Sequence, residues 1–238
     1  MQTALRAIYP PRCLACGGLV ESDFGLCGRC WGEAAFVAGA VCDRCGTPLP
    51  GDPGNDALIC DDCLRIARPW SRGRAALLYQ GTGRRLVLAL KHGDRHDIAA
   101  PAGRWMARAA RPLVRAETLV VPVPLHISRL IARRFNQSAL LARELARALG
   151  VDWASDPLVR RVRTRSLEGQ GRDARFATLA DAIHPHPSRG AVLRGRPVML
   201  VDDVMTSGAT LAAAAEAAHA AGACDVCTVV LARAAKAS

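Results

Sequence analysis

The chain has 238 residues, a formal net charge of +11 and ten cysteines. That length accommodates one full α/β domain plus a small module. No stretch holds enough consecutive apolar residues to span a bilayer, which excludes membrane insertion, and Met1 to Pro11 lacks the apolar core of a secretory signal, so a cytosolic location is expected. Almost every basic residue is arginine, the only lysines being Lys91 and Lys236. Eleven arginines against five acids fall between Arg129 and Arg175, a balance suited to phosphates on a nucleotide or on nucleic acid.

The first motif along the chain is a series of four Cys-x-x-Cys pairs: Cys13 with Cys16, Cys27 with Cys30, Cys42 with Cys45, and Cys60 with Cys63. In a chain expected to be cytosolic, such pairs point to zinc rather than to disulfides. Two cysteines three apart, followed by glycine as in Cys16-Gly17 and Cys45-Gly46, form a knuckle that aims both thiolates at one ion. Two knuckles close a tetrahedral S₄ shell, a structural site with no open position for catalysis. Eight thiolates therefore predict two structural Zn²⁺ ions. The charge change is −8 + 4 = −4, from +11 to about +7. Spacing alone allows consecutive pairing of the knuckles or a cross-braced arrangement. With few large apolar residues, this segment is expected to need metal to fold.

Pro69 to Gly73 marks the expected boundary between a ribbon module at 1–68 and an α/β domain at 69–238. A strand over Arg74 to Gln80 and an amphipathic helix over Thr82 to His92 follow, with Leu86, Leu88 and Leu90 on or near the buried side. A second helix is predicted over Ile98 to Ala110. Leu119 to Leu125 reads as a buried strand ending in a proline-stiffened loop at Pro122, Val123 and Pro124. Ligand loops of an open parallel sheet lie at the carboxyl ends of its strands. Arg129 and Arg133 lead into a helix over Ser138 to Leu149, and their guanidinium forks suit a pyrophosphate. The composition of Arg163 to Arg175, with Gly169 and Gly171, suits a mobile lid. Cys224 and Cys227 lie in a predicted strand, on opposite faces, and read as small buried side chains rather than ligands.

The most informative stretch is Val198 to Thr210. A doubly buried strand over Val198 to Val201 runs into Asp202 and Asp203, placed where the strand should end. Thr206-Ser207-Gly208-Ala209-Thr210 then turns into an Ala-rich helix over Leu211 to Ala221. Strand, small hydroxyl-and-glycine turn and helix start together make a phosphate cradle. The loop has no lysine, so it is not a Walker loop. Adjacent carboxylates beside a phosphate cradle suit a ribose 5-phosphate, whose vicinal hydroxyls Asp202 and Asp203 would accept. Over all thirteen residues the stretch resembles the 5-phosphoribosyl pyrophosphate (PRPP) signature of type I phosphoribosyltransferases, with Val204 inside the motif.

The order of zinc knuckles, Lys91, Val121-Pro-Val-Pro-Leu-His126 with Arg129 and Arg133, Phe135-Asn-Gln137 and the ribose-phosphate motif is similar to the competence protein F (ComF) family, over about Ala7 to Arg233. The resemblance implies a double zinc ribbon joined to a type I phosphoribosyltransferase-like parallel sheet flanked by helices. It also implies PRPP with Mg²⁺ as ligand, Asp202, Asp203, Lys91 and Arg133 at the reacting centre, and a role for several members in DNA uptake. On that basis the expected activity is displacement of pyrophosphate from PRPP by an unidentified nitrogen acceptor. The competing expectation is a non-catalytic PRPP or nucleotide sensor that binds single-stranded DNA and serves the competence machinery, with Phe24, Trp31 and Phe36 as base-stacking candidates. The chain departs from the family pattern at Arg134, a usual glycine, and at Leu167, Thr178 and Ile183, while Thr164 and Arg175 are kept.

Overall fold

The computed structural model describes residues 10–21, 25–52, 56–92, 95–162 and 182–235. Residues 163–175, where a lid is expected, lie outside these, as do Thr178 and Phe24.

Two short ribbons come first, each with one helical turn: α1 (Gly28–Gly32) in the first and α2 (Asp61–Arg65) in the second. Then follow β1 (Arg72–Leu78), α3 (Gly81–His92), a 3₁₀ turn at His96–Ile98 and α4 (Ala99–Ala110). The chain continues through β2 (Leu119–Pro122), α5 (Ile127–Arg133), α6 (Gln137–Leu149), β3 (Asp152–Trp153) and a hairpin of β4 (Leu158–Arg160) with β5 (Ile183–Pro185). It closes with β6 (Pro197–Met205), α7 (Ala209–Ala220) and β7 (Asp225–Arg233).

Five strands make a parallel sheet in the order β1-β7-β6-β2-β3. After β2 the chain moves outward to β3, whereas after β6 it moves the other way to β7. Their carboxyl ends therefore diverge, which is the switch point where an open α/β sheet leaves a crevice. Alternation along the strands splits the core. Val120, Met199, Val201, Val229 and Leu231 pack with α3, α4 and α6, while Val121, Val198, Leu200, Val226 and Val230 pack with α7, the hairpin and the second ribbon. Helix α7 is buried around most of its circumference, which accounts for its alanine content.

Several expected boundaries move. The first strand begins two residues earlier, at Arg72, because Arg72 already pairs with Cys227 of β7. In α3, Leu86, Val87 and Leu90 are buried, whereas Leu88 is only partly so. The sixth strand does not stop before the carboxylates. Pairing with β7 continues through Asp202↔Val230 to Met205↔Arg233. Cys227 is buried and its thiol is pushed up to about 12, chiefly by that burial, but Cys224 precedes β7 and is exposed, so the buried reading fails there.

The segment from Pro69 to Gly73 is no free tether. Trp70 is 2% exposed, and its indole donates to the Arg44 carbonyl of the second ribbon at 2.6 Å while Arg44 donates back to the Trp70 carbonyl at 2.9 Å. Asp43 accepts from Arg72 and Arg74 of β1, and although burial raises its pKa these bonds hold it below the usual carboxylate range. Gly46 lies so close to β1 that a Cβ there would meet the Ala75 nitrogen at 2.7 Å. The chain between the ribbons also docks on β1, with Val37 N–H donating to Ala76 and Leu78 N–H to Ala35.

Arg134 caps α5 in the left-handed region at φ 64°. A side chain there costs about 1 kcal/mol relative to glycine. Arg134→Gly is therefore expected to stabilise the protein by about 0.5–1 kcal/mol. The check is the urea midpoint at constant slope.

Candidate ribose-phosphate cleft and zinc sites

The cysteines gather into two tetrads, Cys13–Cys16–Cys27–Cys30 and Cys42–Cys45–Cys60–Cys63, each with its sulfurs within 4.8 Å of one another. Pairing is thus consecutive, and the cross-braced alternative is out. Four thiolates about 2.3 Å from a common ion sit about 3.8 Å apart. The sulfurs of Cys16 and Cys27 at 3.7 Å, and of Cys45 and Cys60 at 3.6 Å, fit that requirement.

The ribbons are copies of one another. In each, the first cysteine accepts a backbone N–H from the third at 3.3 Å (Cys27 N–H to Cys13 Sγ, Cys60 N–H to Cys42 Sγ). The glycine after each first knuckle has positive φ, Gly17 at 75° and Gly46 at 69°. Glycine adopts that turn without strain, and its N–H closes the knuckle onto the carbonyl of Cys13 or Cys42.

The second site lies at the carboxyl ends of β2 and β6. Because β2 stops at Pro122, opposite Val201, one flank of Asp202 to Met205 has no strand beside it. That flank opens on a cleft of about 360 Å³. Of the predicted residues, Lys91, Val123, Arg129, Arg133, Asp202, Asp203, Val204, Thr206 and Thr210 line it. Pro122 does not; it is a buried strand residue, and Ser207, Gly208 and Ala209 form the turn behind the wall. Tyr79, Ser138 and Arg160 also line the cleft and were not anticipated. Arg160 had a legible signal, since period two along β4 puts it on the same buried side as Leu158.

The carboxylates are fixed from different directions. Asp202 accepts from the Ser138 hydroxyl at 2.8 Å and from the Asp203 N–H at 2.9 Å. Asp203 pairs with Lys91 at 3.0 Å. Burial first, and the neighbouring Asp203 charge second, push Asp202 up to about 7, against Lys91 and Ser138. On the cationic wall, Arg133 donates to Gln137 at 3.3 Å. Burial, then the charge of Arg129, lowers the pKa of Arg160, while Asp202 favours its charge. An anionic ligand would relieve that like-charge crowding.

The phosphate turn has the expected strand–turn–helix form. Gly208 caps α7 in the left-handed region at φ 85°. The turn's carbonyls are drawn backward: Arg68 donates to Ser207 at 2.6 Å, and Arg233 to Met205 at 3.1 Å and Thr206 at 2.8 Å. Peptide planarity then turns the amides of Thr206, Ser207 and Gly208 away from those arginines.

Of the proposed stacking aromatics, Trp31 and Phe36 lie against each other at 4.6 Å, and Phe36 also meets Trp105 at 5.4 Å. Among the described residues no helix is long and apolar enough to cross a membrane.

A parallel sheet with a phosphate turn at its switch point, joined to two cysteine tetrads, defines a phosphoribosyltransferase-type domain carrying a double zinc ribbon. Family comparison agrees: residues 4–64 match the double zinc ribbon domain and residues 136–238 the phosphoribosyl transferase domain. The DNA utilization protein YhgH of Salmonella typhi is 31% identical over 83% of this chain and 86% of its own. Competence protein F of Haemophilus influenzae is 28% identical over 84% of this chain and 87% of its own. The chain belongs to this competence protein F/YhgH family. Among solved structures, the allosteric regulatory enzyme of purine biosynthesis aligns at 19% identity and a TM-score of 0.41, over 60% of this chain and 30% of that one.

Two measurements follow. Metal analysis should find two zinc ions per chain, falling to one in the Cys27→Ser, Cys30→Ser double variant. The second concerns pH. A carboxyl whose folded pKa lies near 7, above its unfolded value, costs stability once pH exceeds the unfolded value, and the cost is complete above pH 7. Asp202→Asn should therefore raise Tm at pH 8 and leave it nearly unchanged at pH 4.

Proposed function

We propose that the cleft binds PRPP and that the protein displaces its pyrophosphate with a nitrogen nucleophile. The observation that carries this reading is the division of the cleft. Two anchored carboxylates stand with Thr206 and Thr210 on the β6 side, while Lys91, Arg129, Arg133 and Arg160 supply the cations. A 5-phosphate would sit at Thr206–Thr210 against the start of α7, and the ribose hydroxyls would donate to Asp202 and Asp203.

In the reaction the bond from ribose C1 to the pyrophosphate oxygen breaks and its electron pair leaves with pyrophosphate. A C1–N bond forms from the acceptor's lone pair, and the acceptor loses its proton to solvent or a base. Positive charge on the ribose in the transition state is stabilised by the carboxylates, and charge on the leaving group by Arg133 and Lys91. Lys91 is held by Asp203 when no ligand is bound. A ribose hydroxyl donating to Asp203 would loosen that pair and free the ammonium for pyrophosphate. Mg²⁺ bound by the ligand's own oxygens would neutralise part of the diphosphate charge.

The relatives are named for DNA utilisation and competence, and one feature supports nucleic-acid binding as a second reading. At the far end of α6 from Ser138, a groove between α4 and α6 is lined by Arg104, Arg108, Arg111 and Arg147. It could follow a phosphate backbone without base stacking.

Calorimetric titration of the zinc-loaded protein with PRPP and Mg²⁺ should show saturable binding, weakened at least ~100-fold in the Asp202→Asn, Asp203→Asn variant, as expected on losing two hydrogen bonds to charged groups. Unchanged affinity would sink the ribose assignment. Titration with single-stranded DNA at two salt concentrations belongs in the same series. Salt-sensitive DNA binding without PRPP binding would favour the second reading.

A further inference from the structure

The second zinc ribbon and the phosphate turn meet through a guanidinium group and a shared core. Arg68 stands five residues after Cys63, the last ligand of the second site, and its side chain crosses from that ribbon to the turn. The same side chain donates to the Ser207 carbonyl, and Trp70 lies beneath it with its ring centre 5.3 Å from the guanidinium carbon. Gly208 passes so near that a Cβ there would come within 2.7 Å of Arg68 Nη1. Arg233, on the last strand, is 3% exposed and donates to the carbonyls of Met205, Thr206 and Ala234. Met205, whose carbonyl it holds, packs in one core with Cys42, Cys45 and Trp70.

The contact depends on the shape of the ribbon. Trp70 donates to the Arg44 carbonyl and Arg44 donates back, so the platform under Arg68 and Gly208 is built on the segment between Cys42 and Cys60. A ribbon closed by four thiolates on one ion loses that shape with its metal. The first tetrad has no such role. Arg85 of α3 reaches Cys30 at 3.8 Å, at the opposite end of that helix from Lys91, and makes none of the turn's hydrogen bonds.

We propose that the second zinc ribbon is a working part of the phosphate turn: Arg68, seated on the Trp70 that Arg44 of the ribbon holds and donating to the Ser207 carbonyl, is a positioning residue that fixes the turn's peptides, so the turn is ordered only while that site holds zinc. The benefit to a 5-phosphate ligand rests on the phosphoribosyl reading. The ordering of the turn does not.

The test is amide hydrogen exchange of the peptide 205–212 in the zinc-loaded full chain, with the 99–110 peptide reporting global integrity. Arg68→Gln and Cys63→Ser should each speed exchange of the turn about tenfold or more, the loss expected when a charged hydrogen bond is removed, while α4 stays protected. Arg68→Lys, which keeps a cation and a donor for the Ser207 carbonyl, should restore much of the protection. If Cys63→Ser also exposes α4, its fold is lost and Arg68→Gln decides alone. Exchange of the turn at the wild-type rate in Arg68→Gln overturns the proposal.

PRPP calorimetry on the same variants separates the two readings. Wild-type binding that weakens about tenfold in Arg68→Gln, with both zinc ions retained, supports the positioning role. Equal affinity in the two proteins overturns it. Absence of binding in the wild type refutes the phosphoribosyl reading, and the exchange data then judge the ordering of the turn by themselves.

Discussion

A buried arginine imposes the strictest constraint in this structure. Arg233 is 3% exposed and ends the strand that lies beside the carboxylate-bearing β6. A cation removed from water needs acceptors for its donors. The carbonyls of Met205, Thr206 and Ala234 supply them, and Arg68 of the second ribbon holds the next carbonyl of the turn, that of Ser207. Ribbon, turn and last strand are thereby bound to one another, although 139 residues separate Arg68 from Ser207. The interior records the same union, because Cys42 and Cys45 share a core with Trp70, Met205, Leu211 and Val230.

The cleft itself follows from unequal strand lengths. β2 has four residues and β6 nine, and their pairing ends at Pro122 opposite Val201. Pairing with β7 keeps the far side of β6 rigid for four more residues, through Met205. The carboxylates therefore stand on a strand that is held on one side and open on the other. Rigid backbone suits groups that must meet a ligand without reorganising.

How much of this could be read from sequence depends on the range of the interaction. The knuckles and the strand–turn–helix form around Gly208 are local, set by spacing and by glycine at Gly17, Gly46 and Gly208, and they were legible. Local signals misplaced the end of β6, because continuation through two carboxylates depends on β7, which follows in the chain. Ser138 and Tyr79 were missed for a related reason: their place in the cleft comes from sheet order, which no local pattern encodes. Arg68 and Arg233 read as two among many arginines until their contacts with the turn are seen. The duplication of the ribbons was obscured by unequal spacing, Cys16 to Cys27 against Cys45 to Cys60, although the hydrogen bonds repeat closely.

Composition adds one argument about chemistry. Lysine and arginine number 32, and only two of these are lysine, so the chain uses arginine almost wherever a cation will serve. Lys91 is the exception among the described residues, and it is the cation paired with Asp203 in the cleft. Arginine would grip that carboxylate with a planar fork and give it up reluctantly, whereas an ammonium on a flexible stem is a point charge that can change partners. On the proposed reading that is what the position requires. The cation must neutralise Asp203 in the empty cleft and then turn to the diphosphate when a ribose hydroxyl takes its place. Arg133, held by the Gln137 side chain, presents fixed donors to an anion, the task for which the guanidinium is better shaped.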